Sequence, residues 1–261
     1  KEFLTLLNKD TITDVNIGDS TSLKMGVLFS DMRNFTGMSE KMSPEENFHF
    51  LNRYLEFMTP AIKKHNGFID KYIGDAVMAL FPTSAEDAVL AAIEMNKQLA
   101  AYNSEESVSG QDPVNMGVGI HIGQLVLGTI GRETRMETTV ISDTVNASAR
   151  LESLNKTYKT NILISCSVKD ELSPDIQKYC RLIDRTQVKG KVEFLDVYEV
   201  YSTDERELAE EKSKNKRILV SIVDNYFKGN TKLAREKLSN LENDTIQDTV
   251  ISFWQNRLKA E

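Results

Sequence analysis

From residue 25 onward, short apolar runs alternate with stretches whose apolar positions recur every three to four residues. Residues 25–30 (MGVLFS) form a brief strand-like run. Ser43, Pro44 and Glu46 mark a helix start: a hydroxyl that accepts from a free amide, a proline where no N–H is needed, and a glutamate that closes the capping box. Phe48, Leu51, Leu55, Met58 and Ile62 follow at helical spacing, and Asn66-Gly67 supplies the stop. Residues 68–73 and 76–81 are strand-like runs separated only by Gly74-Asp75, which predicts a tight hairpin. Pro82 ends the second run, and Ser84 caps a helix with Ala88, Ala92, Met95, Leu99 and Tyr102 on one face. Residues 103–113 are polar and read as a loop. Residues 114–122 read as a strand that Gly123-Gln124 turns back into a partner at 125–130.

The order β-α-β-β-α-β predicts an α+β protein with a ferredoxin-like core. Residues 131–137 read as a flexible arm, 138–141 as a short strand and 143–155 as a helix. Residues 161–165, 180–184 and 194–200 read as additional C-terminal strands. After Ser202 the composition changes: 203–216 is highly charged, and 217–228, 232–241 and 246–258 read as amphipathic helices. The expected organisation is one domain over residues 1–202 and a helical tail over 203–261. The tail resembles a tetratricopeptide-like hairpin, and one such unit cannot bury its own apolar face. It is therefore expected to dock on the preceding domain or to continue a longer array.

Composition narrows the choice of partners. Hydrophobic residues make up 40% and charged residues 27%, ordinary for a chain that buries a real core. The net charge of −7 argues against a nucleic acid backbone as partner. No apolar run reaches the length of a membrane span and no signal-peptide pattern is present, so this fragment is expected to make no membrane contact. Cys166 and Cys180 lack metal-site spacing and read as reduced thiols of a cytoplasmic protein. A chain that begins with Lys1 reads as a fragment of something longer, such as the cytoplasmic output domain of a larger sensor or membrane protein.

Asp31 ends the first apolar run, and Asp75 stands 44 residues later (75 − 31) at the tip of a hairpin that should lie beside it. Carboxylates at neighbouring strand ends can hold two divalent ions, which clamp the attacking and leaving oxygens of an in-line displacement. Taken singly, Asp31 reads rather as a loop residue, Asp75 as a turn residue and Lys71 as a solvated strand lysine, and Arg150 reads also as half of a surface ion pair.

Together, five strings favour the chemical reading. Residues 27–36 (VLFSDMRNFT), 70–81 (DKYIGDAVMALF), 117–123 (GVGIHIG), 144–152 (TVNASARLE) and 188–191 (VKGK) resemble the class III nucleotidyl cyclases in order and spacing, over roughly residues 3–200. The resemblance implies a lyase that makes cyclic AMP and pyrophosphate from ATP with two divalent ions, Mg²⁺ or Mn²⁺. It implies that Asp31, Asp75 and the Met32 carbonyl hold the metals. The amides of Asn34, Phe35 and Thr36 would receive the β- and γ-phosphates, and Lys189 would reach the triphosphate. Lys71 and Thr139 match the base-selecting positions and suit adenine, since guanylate cyclases usually place Glu at the first and Cys or Ser at the second. Asn146 matches the residue that orients the ribose, and Arg150 the one that stabilises the pentavalent α-phosphate. The resemblance further implies a head-to-tail homodimer with shared sites, one chain supplying the aspartates and the other the base and transition-state residues. The competing readings are a guanylate or mixed-purine cyclase and a catalytically silent dimerisation module. Ser142 departs from the family, which commonly has Gly there, and Ile122 stands where Thr is common. His49, His65 and His121 read as structural.

Overall fold

The structure of the protein is a computed structural model that describes residues 2–107, 113–132, 135–187, 194–241 and 247–259. Its strands are β1 (Ser20–Met32), β2 (Phe68–Ile73), β3 (Ala76–Phe81), β4 (Met116–Arg132), β5 (Arg135–Ile141), β6 (Ile162–Ser165), β7 (Cys180–Gln187) and β8 (Phe194–Val200). Its helices are α1 (Glu2–Leu6), α2 (Phe35–Ser39), α3 (Pro44–Lys64), α4 (Ala85–Ser107), α5 (Asp143–Tyr158), α6 (Cys166–Lys169), α7 (Pro174–Gln177), α8 (Arg206–Phe227), α9 (Thr231–Ser239) and α10 (Thr249–Lys259). The strands form one sheet in the order β2-β3-β1-β4-β6-β8-β7, with β5 paired to β4 off that path. The first four strands are antiparallel neighbours in the order the ferredoxin-like expectation requires. β4 and β6 are parallel, joined by a crossover through α5.

Alternation along β4 assigns the two faces of the sheet. Met116, Val118, Ile120 and Ile122 point into the core shared with α3 and α4, while Leu125 and Leu127 pack with Met25 and Val27 on the opposite face. Helix α5 lies against that second face. A β-carbon on Gly119 would overlap the Ser148 carbonyl and the Glu152 amide, so glycine is what lets α5 approach the strand this closely. Ser148 Oγ donates to the Val27 carbonyl at 2.9 Å and accepts from His121 N at 3.1 Å, and Asn155 Nδ2 donates to the Val118 carbonyl at 2.9 Å. These buried bonds fix α5 axially and in rotation.

Several boundaries differ from the sequence reading. The capping box of α3 forms as expected, with Glu46 N to Ser43 Oγ at 3.2 Å and Ser43 N to Glu46 Oε2 at 2.8 Å. Phe48, however, is 72% exposed, because it lies about 200° around the helix from buried Phe50. Gly123-Gln124 is not a turn. β1 begins at Ser20, and its ladder with β4 runs unbroken through Lys24↔Gln124 and Met25↔Gly123, so pairing overrides local turn chemistry. Of the arm expected at 131–137, residues 131–132 and 135–137 are strand, with Arg132 opposite Arg135, and 133–134 lie outside the described residues. α4 continues to Ser107, and the Asn103 side chain bonds both main-chain groups of Val114 at 2.8 Å rather than ending the helix. The charged stretch after residue 203 is helical from Arg206 because its charges are paired: Lys212 Nζ lies 2.7 Å from Glu199 Oε1 and also bonds Asp204.

Helices α8–α10 share one buried cluster with the sheet and α5. Leu151, Tyr158, Leu163, Leu182 and Val197 pack with Leu219, Ile222, Ala234 and Trp254. Cys166 and Cys180 are free thiols. Among the described residues, no helix is long and apolar enough to cross a membrane.

Candidate functional site

The sheet brings Asp31 and Asp75 together. Ser30 pairs with Val77, so the end of β1 lies beside the β2–β3 turn, and Gly74 takes the positive φ of 65° that the turn requires. Asp75 Oδ2 accepts from Met32 N, the residue after Asp31, at 3.2 Å, and its carboxyl lies near enough to feel the Asp31 charge. Burial and then the Asp31 charge push the Asp75 carboxyl up to about 6. The two acids repel each other in a half-buried place, the condition a bound cation relieves.

The donor set suits a hard cation. Among the described residues no three His, Cys, Asp or Glu side chains cluster to hold a metal ion. Two carboxylates and the backbone beside them leave the other coordination positions to water and phosphate oxygens, as Mg²⁺ prefers. Next to them, Asn34 adopts φ 59° and opens α2. The first helical bond of α2 is Met38 N to Asn34 O at 3.1 Å, which leaves the amides of Asn34, Phe35 and Thr36 outside the helical ladder. Phe35 is anchored by stacking on Phe50, ring centroids 6.5 Å apart, while Thr36 is exposed.

The remaining candidates lie on β2, α5 and β5. Lys71 sits on β2 opposite Met78, with Nζ 3.3 Å from Asp70 Oδ2. Asn146 and Arg150 are exposed on neighbouring turns of α5, on one face. Thr139 on β5 pairs with Gly128, whereas Asp31 pairs with Gly117. Eleven β4 positions (128 − 117) separate the two, about 36 Å of strand contour at roughly 3.3 Å per residue. Asp31 and Thr139 therefore lie toward opposite ends of the ladders that β4 forms with β1 and β5. Lys189 lies outside the described residues.

Three charged groups beside Asp31 were not singled out in the sequence. Lys156 Nζ is 2.9 Å from Asp31 Oδ2, and Arg33 lies 3.6 Å from Glu152 Oε1. Burial, and then Asp31, raise the Glu152 carboxyl, and burial lowers the Arg33 guanidinium. The available signal was Gly117, where a β-carbon would overlap the Arg33 guanidinium. Ser142, the departure from the family pattern, is the N-cap of α5: its Oγ accepts from Thr144 N at 3.0 Å and donates to the Gln124 carbonyl. His121 Nδ1 is bonded to Ser165 Oγ at 2.8 Å, in keeping with a structural histidine.

Known proteins resemble this chain in sequence and in fold. The chain is 44% identical over 205 residues to an adenylate cyclase of Anabaena cylindrica, covering 76% of this chain and 41% of that one. It is 41% identical to the terminal-differentiation-specific adenylate cyclase of Dictyostelium discoideum, covering 76% of this chain and 10% of that one. The chain thus spans less than half the length of these curated relatives. Among solved structures, the adenylyl cyclase CyaB from P. aeruginosa superposes with a TM-score of 0.61 at 32% identity, covering 69% of this chain and 95% of that one. A guanylyl cyclase crystal structure superposes at 0.62 and 33% identity, covering 72% and 96%. Residues 19–202 match the adenylate and guanylate cyclase catalytic domain. With the paired aspartates, the open turn at Asn34 and the α5 helix all inside that span, this chain belongs to the adenylate and guanylate cyclase catalytic-domain family.

Proposed function

We propose that this chain converts ATP to 3′,5′-cyclic AMP and pyrophosphate, as a head-to-tail homodimer whose catalytic unit is residues 1–202. The ribose 3′-oxygen bonds to the α-phosphorus, the bond from that phosphorus to the β-phosphate oxygen breaks, and the hydroxyl proton leaves to solvent. The observation that carries the reading is the Asp31–Asp75 pair, two acids that the β1–β3 register and the Met32 amide bring together at the end of β1. Asp31, Asp75 and the Met32 carbonyl would hold two divalent ions. When bound, these ions favour the deprotonated ribose hydroxyl and neutralise charge on the leaving pyrophosphate. The free amides of Asn34, Phe35 and Thr36 bind the terminal phosphates of the same nucleotide.

The dimer is the assembly that the family resemblance implies. A second copy turned head to tail brings its own Lys71 and Thr139 to the adenine, Asn146 to the ribose and Arg150 to the α-phosphate, with Lys189 on the triphosphate. Support comes from uncovered apolar side chains on the hairpins concerned: Tyr72 and Ile73 on β2, and Val126, Ile130, Met136 and Ile141 on β4 and β5, are 44–63% exposed. A partner that covers them removes that area from water. Adenine rather than guanine rests on Lys71, which donates to a ring nitrogen that accepts, and on Thr139, whose hydroxyl accepts from the amino group. Both adenylyl and guanylyl cyclases share the fold, so these side chains carry the choice.

The test is product formation from ATP and from GTP, separately and in competition, with Mg²⁺ and with Mn²⁺, beside Asp31→Ala. Cyclic AMP with little cyclic GMP, lost in the variant, supports the reading. Cyclic GMP as the main product moves the assignment to guanine. No product from a chain shown to be dimeric points to the silent module.

A further inference from the structure

Asp31 has an ion-pair partner within its own chain. Lys156 Nζ lies 2.9 Å from Asp31 Oδ2, with side chains 55% and 22% exposed. Lys156 does not arrive there by chance of a flexible loop. It sits one residue after Asn155, which is fully buried and tied to the Val118, Leu151 and Glu152 carbonyls. The close contact at Gly119 presses the same turn of α5 onto β4. The lysine stem is thus held over the end of β1, and its ammonium meets the Asp31 carboxylate.

A second partner waits one turn back on the same helix. Glu152 precedes Lys156 by four residues, the spacing and order at which a glutamate and a lysine meet on a helix. Glu152 is 7% exposed, its Oε1 has no hydrogen-bond partner, and its nearest cation is Arg33 at 3.6 Å. An ammonium leaving Asp31 can move to this carboxylate without leaving the cluster.

We propose that Lys156 is an internal counter-ion that occupies the Asp31 carboxylate until a divalent cation displaces it onto Glu152. This rests on the metal-site reading of Asp31 and Asp75 above. Lys156 is then a positioning residue that sets metal affinity and releases Asp31 only when a metal arrives. It also offsets the repulsion between two adjacent acids. A half-exposed ion pair is weak, and a divalent ion outcompetes it readily.

The experiment is Mn²⁺ titration of the full chain followed by electron paramagnetic resonance, with thermal unfolding of each variant as the control for folding. Lys156→Gln is expected to bind Mn²⁺ about two- to five-fold more tightly than the unaltered chain, the worth of one exposed ion pair. Lys156→Arg keeps the pair and stays near the unaltered value. Glu152→Gln, which removes the second berth, binds more weakly. A folded Lys156→Gln chain that binds Mn²⁺ no more tightly than the unaltered one overturns the proposal. Tighter binding in Lys156→Gln with an unchanged Glu152→Gln overturns the relocation onto Glu152 and leaves the competition standing. Asp31→Asn separates the two layers: if it binds Mn²⁺ as the unaltered chain does, the metal-site reading itself fails and the counter-ion falls with it.

Discussion

The Tyr158 hydroxyl donates to Asp184 Oδ2 at 2.7 Å, and Arg257 Nη1 reaches the same oxygen at 2.8 Å. Tyr158 ends the helix that carries Asn146 and Arg150, Asp184 belongs to β7, and Arg257 to α10. One carboxylate oxygen therefore ties the helix bearing the transition-state candidates to the C-terminal helices. The Arg257 guanidinium also lies over the rings of Tyr226 and Trp254, 4.3 and 5.0 Å from their centroids. The tail is built into the same core as α5, and damage to it should be felt at the site.

Trp254 tests this connection. It is fully buried, and its Nε1 donates to the Ile183 carbonyl at 2.8 Å. Trp254→Ala is expected to cost about 3–5 kcal/mol of stability. Tyr158→Phe, which removes only the hydroxyl, should cost about 1–2 kcal/mol, since Asp184 keeps Arg257 and the Arg185 amide. Urea unfolding measures both. Equal stability of Trp254→Ala and the unaltered chain would mean that the tail is not part of the folded unit.

The base preference has its own test. Lys71→Glu replaces a donor by an acceptor on β2, where the side chain is half-buried beside Asp70. The ratio of kcat/KM for ATP to that for GTP is expected to fall by about tenfold or more, the discrimination one hydrogen-bonding group supplies in a buried site. Competition between the two nucleotides reads it directly, and an unchanged ratio removes Lys71 from base selection.

What the sequence showed and what it hid follow physical lines. The α3 start was legible because the capping box is local: Ser43 and Glu46 are three residues apart and need nothing else. The Asp31–Asp75 pair was legible because a short hairpin next to a strand leaves few registers. The run through Gly123-Gln124 was not, because what straightens it is Lys24 and Met25 of a strand a hundred residues away in the chain. Helix α8 was half hidden for a related reason. Its charged first turns are stabilised by Glu199 and Asp204, which the local composition does not announce as partners. Lys156 was invisible in the same way, since its partner Asp31 lies 125 residues away.

Arg181 makes the acid sensitivity of the fold predictable. It is 1% exposed and bonds Glu199 by Nε at 2.6 Å and Asp248 by Nη2 at 2.9 Å. Burial alone would raise the Asp248 carboxyl, but the hydrogen bonds and charge of Arg181 hold it below its ordinary range. A carboxyl depressed in the folded state stabilises above its unfolded pKa, about 3.9, and loses that contribution as pH falls through the lower folded value. Asp248→Asn is expected to cost about 3–5 kcal/mol at pH 7, because Arg181 is left buried with one partner fewer. The difference from the unaltered chain should narrow as the pH drops below about 4. A difference that stays constant with pH would show that the aspartate acts through packing alone.

The head-to-tail assembly makes the sharpest demand on activity. Asp31→Ala and Arg150→Ala should each be nearly inactive alone, the second by about 10²–10³ in rate, because a donor aimed at transition-state charge is gone. If Asp31 of one chain works with Arg150 of the partner subunit, every mixed dimer holds one site with both groups present and one with neither. Random pairing of equal amounts makes half the dimers mixed, each with one working site of two, so the mixture should recover about a quarter of the unaltered activity. A site formed within one chain predicts no recovery, since each chain would carry its own defect into its own site. Recovery absent from a mixture in which heterodimers are demonstrated would return Asp31 and Arg150 to a single chain and overturn the shared-site assembly.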